Sequence, residues 1–245
     1  MVTIIHINAA DIGHKKSPQN KVLMRQFTCD FDANTFVGVV GLNGVGKSTF
    51  LKTLAGLLPL LSGEITIANK NLKTYDEETL AKTVAIVLTE KFGGFNLRVK
   101  DVVQSGLMPY TNAFHQINAD HEAMAEAAIK LCGLENYRET YIDELSDGYF
   151  QRTVIAKALA QQSPIMLMDE PSAFLDYAAK HELYGLLKNM CEQNNRCILI
   201  SSHDLDLLLK YCHQLLVITE EEAVMMPVSE AKNNPAFKKI AKGFI

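Results

Sequence analysis

The segment Gly41-Leu-Asn-Gly-Val-Gly-Lys-Ser-Thr49 fits the pattern G-x-x-x-x-G-K-[ST] and follows directly on the apolar run Phe36-Val-Gly-Val-Val40. Glycines at this spacing let successive backbone N–H groups converge on phosphate oxygens, and a helix opening at Lys47 adds positive potential at the same point. In this pattern Lys47 supplies a charge to the β/γ-phosphates, Ser48 is placed to ligate Mg2+, and Asn43, Gly44, Val45, Gly46 and Thr49 complete the cradle. A buried strand before the loop and a helix after it, to about Gly56, are the context that separates such a loop from a chance match.

A second run, Ile165-Met-Leu-Met-Asp169-Glu170-Pro171, is an apolar strand ending in two acids. Successive strand residues point to opposite sides, so the acids serve different tasks. Asp169 suits the hydration shell of a magnesium ion beside Ser48, and Glu170 is free to polarise a water aimed at the terminal phosphate. Taken alone, such a strand end is as readily a surface turn. The third run, Leu145-Ser-Asp-Gly-Tyr-Phe-Gln-Arg152, leads into an apolar-faced helix. Ser146 caps it in this reading, and Gly148 permits close backbone approach, which makes a further phosphate-facing helix N-terminus. The fourth, Ser201-Ser-His-Asp204, brings an imidazole to a strand end; a lone histidine there is more often a surface or capping residue.

The elements that must position these groups alternate. Residues 3–8, 22–27, 36–40, 84–88, 165–168, 197–200 and 215–218 read as strands, several of them continuously apolar as in buried parallel sheets. Helical patterns separate them; the plainest carries Leu183, Leu186, Leu187 and Met190 on one face, to lie against the sheet. Strand, helix and strand in this order predict an α/β fold. Between residues 89 and 162 the strand signal gives way to helical stretches at 121–132, with Met124, Ala128 and Leu131 on one face, and at 149–160. This predicts an inserted helical subdomain, 89–162, between core segments 1–88 and 163–245. Gly93-Gly94 at its entrance reads as a hinge or a simple turn. The charged residues Glu220, Glu221 and Glu222 and the later Lys232, Lys238, Lys239 and Lys242 read as a solvated terminal segment.

The chain has 245 residues with 48% hydrophobic and 21% charged side chains and a net charge of −4, enough apolar material for a core and too little charge for disorder. A slightly acidic balance argues against a general nucleic-acid binder. No apolar run approaches the ~18 residues of a membrane-spanning helix. The first residues show no secretory leader, so the chain is expected to stay where it is made. Five cysteines at 29, 132, 191, 197 and 212 form no C-x-x-C pair, the pattern of free thiols and not of a zinc or disulfide framework.

In type and order these motifs resemble one family, the ABC-transporter ATPases: glycine loop, helical insert, a Leu-Ser-x-Gly signature, paired carboxylates, Leu175-Asp176 and then a histidine, over nearly the whole chain. The resemblance implies a P-loop NTPase core with a mixed, largely parallel sheet, an N-terminal antiparallel β element and a helical subdomain. It implies two ATP molecules, with Mg2+, sandwiched in a head-to-tail homodimer. Ser146, Asp147 and Gly148 would then meet the nucleotide bound to the partner subunit, Asp176 would connect the two sites, His203 would hold the γ-phosphate and attacking water, and Glu170 would be the base. The family's adenine-stacking aromatic aligns with His14.

Two positions depart from the family. Asp147 stands where a glycine is usual, either bringing like charge towards the γ-phosphate or pointing away, favoured by the helix dipole. The family's magnesium-touching glutamine aligns with Thr89, which is short, or with its neighbour Glu90, which is equally well a plain surface residue. A finer resemblance lies in Leu97 to Thr111, where Gly106, Pro109 and Tyr110 match the ATPases of iron-siderophore, haem and cobalamin uptake, with Leu107 in place of their arginine. That implies a separate integral membrane permease, an extracytoplasmic binding protein acting indirectly, and a cytoplasmic location on the inner face of the membrane. Residues 89–110 would help form the groove for a permease loop. The competing class is a soluble ABC ATPase such as a cluster-assembly factor, and a third is a nucleotide-gated adaptor that does not hydrolyse ATP.

Overall fold

The computed structural model describes residues 2–15, 20–88, 96–111 and 118–243. Along the chain, β1 (Thr3–His14) and β2 (Lys21–Asp32) pair antiparallel, and β3 (Phe36–Val40) opens a second sheet and leads into α1 (Lys47–Leu54). The chain returns to the first sheet with β4 (Ser62–Ile67) and β5 (Lys70–Asn71), then runs through α2 (Glu77–Thr83) to β6 (Val84–Val87). Helices α3 (Val99–Ser105), α4 (Ala119–Leu131) and α5 (Asp147–Ala160) pack on one another. Then follow β7 (Ile165–Asp169), α6 (Tyr177–Asn194), β8 (Cys197–Ser201), α7 (Leu205–Tyr211), β9 (Gln214–Ile218), β10 (Ala223–Pro227), α8 (Val228–Ala231) and α9 (Pro235–Ala241).

The first sheet has the order β2-β1-β4-β5 and the second β10-β9-β3-β8-β7-β6, in which every pairing is parallel except β10 with β9. This is the α/β fold expected from the alternation, with the mixed, largely parallel sheet that the family resemblance implies. The pleat divides the core into two layers. Phe36, Val40, Met166, Met168, Ile198 and Ile200 face the helical side, which includes α5 and α6. Their neighbours Val37, Val39, Ile165, Leu167, Cys197 and Leu199 face α1 and the antiparallel sheet, where Phe50, Leu51 and Leu54 meet Ile5, Ile7 and Phe31. Both faces of the central strands are thus covered, which is why they read as unbroken apolar runs.

Four expectations change. Strands β1 and β2 run 12 residues each; register shifts after Ile7, with Ala9 and Gln26 at positive φ, break the alternation and hide the extension. Strand β4 carries only Ile65 and Ile67 as apolar markers, set opposite Ile7 and Ile5 of β1. On α4 the buried face is Ala125, Ala128 and Ile129, and Leu131 is 53% exposed, so the stripe is rotated from the one through Leu131. The C-terminal segment is built in: Met226 lies on β10, and Ala231, Ala236, Phe237 and Ile240 are buried against the core beneath the surface lysines.

Candidate functional site

The glycine loop leaves β3 at Val40. A Cβ on Gly41 would meet the Ile218 carbonyl at 2.6 Å, whereas at Gly44, φ 78°, it would meet open space. Gly46, φ 119°, caps α1 in a conformation that L side chains rarely adopt, and it turns the chain into the helix at Lys47. Lys47 is buried, and its Nζ donates to the Gly41 carbonyl at 2.8 Å. Burial lowers its pKa, while Glu170 and Asp169 oppose the shift. The hydroxyl of Thr49 lies 3.2 Å from His14 Nε2, so the end of β1 is tied directly to the first turn of α1.

Parallel pairing of β7 with β8 sets Asp169 opposite Ser201, and the Ser201 hydroxyl donates to Asp169 Oδ1 at 2.7 Å. The same Oγ accepts the Glu170 N–H at 3.0 Å, which holds Glu170 at φ 49°, a left-handed backbone unusual for glutamate. The strain sits where the carboxylate must turn toward the loop. Burial, resisted by Lys47, raises the Glu170 carboxyl to about 7. Its Oε1 lies 3.1 Å from His203 Nε2, an ion-pair distance, yet among the described residues that buried oxygen has no aligned hydrogen bond. Burial and then Lys47 lower the imidazole pKa, which favours a neutral ring.

A cavity of about 290 Å3 brings the predicted residues together. Asn43, Gly44, Gly46, Lys47, Ser48 and Thr49 line it from the loop, and His14, Glu170 and His203 from the surrounding strand ends. Val45 instead lines a neighbouring space of about 410 Å3, and Asp169 is buried and does not itself line the cavity. Lys21 and Leu23 also wall this cavity, and sequence reasoning missed them. They reach it only because β2 folds back beside the loop, and no local pattern announces that. Ser201 was within a quoted motif, but its clamp on both acids follows from sheet register alone.

The signature residues lie elsewhere. Ser146 caps α5, accepting the Tyr149 N–H at a long 3.5 Å. Asp147 is the first helical residue and exposed, the position an acid prefers at a helix N-terminus. A Cβ on Gly148 would meet the Phe174 carbonyl at 3.3 Å, and Asp176 caps α6 by accepting the Ala179 N–H at 2.8 Å. None of these four lines the cavity. Thr89, Glu90 and the Gly93-Gly94 pair lie outside the described residues.

The donor set fits a nucleotide with magnesium. Ser48 offers an exposed hydroxyl and Asp169 a carboxylate, the oxygen ligands that a magnesium ion takes alongside substrate phosphates. The open space at Gly44 and the buried ammonium of Lys47 suit a phosphate chain. Glu170 lines the same cavity as Lys47 and Ser48, so its carboxylate group stands beside the space a phosphate chain would occupy.

A family model described as ABC transporter matches residues 24–173, more than half of the chain. The chain belongs to the ABC transporter family. It is an ATP-binding cassette and an ATPase. The match ends before Asp176 and His203 and begins after His14, so the placement of those three rests on geometry. An uncharacterized ABC transporter ATP-binding protein of Methanocaldococcus jannaschii is 31% identical over 205 residues, 84% of this chain and 71% of that protein. An iron(3+)-hydroxamate import ATP-binding protein of Bacillus subtilis is 29% identical, covering 81% of this chain and 74% of its own length. A cobalamin import ATP-binding protein of Halobacterium salinarum is 31% identical over 75% of this chain, which spans about half of it, 46%. Among solved structures, a dimeric bacterial ABC transporter cassette superposes with a TM-score of 0.81 at 23% identity, covering 92% of this chain and 99% of that one, a likeness of fold. Among the described residues of the cassette, no helix is long and apolar enough to cross a membrane.

Proposed function

We propose that this cassette is the ATP-hydrolysing subunit of an importer and drives uptake of an iron chelate, siderophore or haem, or of cobalamin through a separate permease. In this reading it works as a homodimer on the cytoplasmic face of the cell membrane, beneath the permease and indirectly serving an extracytoplasmic binding protein. The observation that carries the reading is the division of the motifs. The phosphate loop, Glu170 and His203 share one cavity, while Ser146, Asp147, Gly148 and Asp176 lie away from it. A second copy turned head to tail supplies the missing wall. We take the helices between 89 and 162 as the subdomain that carries the signature to the partner.

In the closed site Lys47 turns from the Gly41 carbonyl to the terminal phosphates, and the loop N–H groups hold their oxygens. His14 flanks the base, with its ring fixed by Thr49. Ser48 and Asp169, with Thr89 or Glu90 as a further neighbour, would hold a magnesium ion, which would supply charge neutralisation on the phosphates. Glu170 accepts the proton of the attacking water, a task suited to a desolvated carboxylate, and neutral His203 orients that water and the γ-phosphate.

The iron-chelate and cobalamin cargo is supported by the names of the relatives and by the Gly106-to-Tyr110 segment. There Leu107 is fully buried, so the position that holds arginine in the related importers is interior here, while Met108 and Tyr110 remain 52% and 37% exposed. The Tyr110 hydroxyl donates to the Gln161 carbonyl at 2.8 Å and so fixes the turn. Purification of the tagged chain from its native membranes in mild detergent, with mass spectrometry of what accompanies it, tests the proposal. The expected outcome is a stoichiometric polytopic permease. Recovery with only an iron–sulfur assembly protein or a ribosome overturns the importer reading and leaves the ATPase standing.

A further inference from the structure

Glu170 and His203 ride on two separate segments, the one that follows β7 and the one that follows β8. Ser201 joins these segments on the side of the sheet, since it bonds both Asp169 and the Glu170 backbone. On the helical side a different group stands between them. Tyr184 of α6 is 0% exposed, with its ring between Phe36, 6.2 Å away, and Tyr211, 5.9 Å away. Its hydroxyl reaches into the layer of Ser172, two residues beyond Glu170, and Ser202, immediately before His203, both 1% exposed. Ser202 in turn accepts the Asp204 N–H at 3.0 Å, closing the turn that presents the histidine.

The Tyr184 hydroxyl is in reach of both serines yet has no aligned hydrogen bond among the described residues. A buried hydroxyl without an aligned partner is unfavourable, and phenylalanine would fill the same space without that cost. Packing therefore accounts for the ring but not for the oxygen. We infer that the Tyr184 hydroxyl is a positioning group that ties the Ser172 and Ser202 segments together when the site closes, fixing the distance between Glu170 and His203. Completing that hydrogen bond draws the two segments together, so the tie forms in the geometry that brings base and histidine into register. Tyr184 does not line the cavity that holds the loop, Glu170 and His203; it acts through the two serines. The inference rests on the assignment of Glu170 and His203 made above.

The test is steady-state Mg2+-dependent ATP hydrolysis by the full chain, with a thermal midpoint for every variant. Tyr184→Phe is expected to lower kcat about tenfold, since small misplacements of reacting groups cost on that order, while KM for ATP changes less than about twofold and the thermal midpoint holds or rises. A merely structural tyrosine would move the midpoint and leave kcat per folded molecule unchanged. Ser172→Ala and Ser202→Ala are expected to lower kcat in the same direction, and either one combined with Tyr184→Phe to add little, the non-additivity of one shared contact. Glu170→Gln is measured in parallel. Unchanged hydrolysis in Glu170→Gln sinks the base assignment beneath the inference. Loss in Glu170→Gln with full kcat in Tyr184→Phe overturns the Tyr184 inference alone. Should Tyr184→Phe fail to fold, the two serine variants decide, and full kcat in both overturns it.

Discussion

The glycine-loop side of the cassette and the signature side differ in how complete they are. On the first, strands β3, β7 and β8 end side by side, and their loops deliver Lys47, Glu170 and His203 to one cavity. On the second, Ser146 and Asp176 each cap a helix and Gly148 approaches the Phe174 carbonyl, and none of the three lines the cavity of the loop. The parallel sheet forces the first convergence, because its strand ends are all at one edge and ligands collect there. Nothing in the chain forces the second set toward the first. The contrast teaches that the loop, Glu170 and His203 are preorganised within one chain, whereas the signature residues are not brought to them; in the proposed dimer a partner would supply that half.

Breaking the complete half has the largest expected effect. Glu170→Gln preserves size and burial but removes the proton acceptor, and phosphate release should fall by roughly 100-fold or more. ATP binding, read by nucleotide fluorescence, persists in this variant; equal release in the two proteins would show that the base lies elsewhere. Next is Lys47→Ala. A charge-assisted contact to phosphate contributes about 1.5–3 kcal/mol, so ATP affinity is expected to drop roughly tenfold to a hundredfold in an equilibrium titration. An unchanged Kd would mean that the buried ammonium never leaves the Gly41 carbonyl.

The division itself is sharpened by mixing two inactive variants. Ser146→Asp keeps a good helix cap and sets a negative charge where the partner's phosphates are expected. Alone, Ser146→Asp and Lys47→Ala are each expected to be nearly inactive. Mixed in equal amounts, they can form a dimer with one intact composite site, from the loop of the first and the signature of the second, so part of the hydrolysis should return. No recovery on mixing, with dimers present by light scattering, would place both halves of the site within one chain.

The same contrast governs what was legible in the sequence. The loop and the Asp169-Glu170 strand end could be read because each is local: a run of glycines, a strand tip, a helix start. The clamp of Ser201 on Asp169 could not, since it depends on β7 and β8 being neighbours with those two residues in register. Likewise Lys21 and Leu23 reach the cavity through the fold of β2, and the buried face of α4 is decided by Ala125 and Ile129 meeting α3 and α5 and not by its larger Leu131. The charged C-terminal stretch misled for the opposite reason. Its lysines are at the surface, but Phe237 and Ile240, spaced by three, bury the inner side of α9. Long-range pairing leaves no periodic trace in the segment it positions, whereas backbone chemistry does.

The smallest expected effect belongs to Asp147, the residue in which the signature half departs from its family. As the first residue of α5 it is exposed and stands at the positive end of the helix dipole, a favourable position for an acid of about 0.3–1 kcal/mol. Its charge would oppose ATP closure only if the carboxylate turned toward the partner's γ-phosphate. Asp147→Gly separates the two effects because they have opposite signs in different measurements. If the dipole term dominates, the substitution lowers the thermal midpoint by a few degrees, as about 1 kcal/mol does in a domain of this size, and leaves hydrolysis within about twofold. If repulsion dominates, hydrolysis and ATP-dependent dimerisation rise several-fold in Asp147→Gly, and they rise most at low ionic strength, where an exposed charge is least screened. The exposed cap geometry favours the first outcome, so the carboxylate serves the helix that carries Ser146 and Gly148 and not the phosphate they are expected to meet.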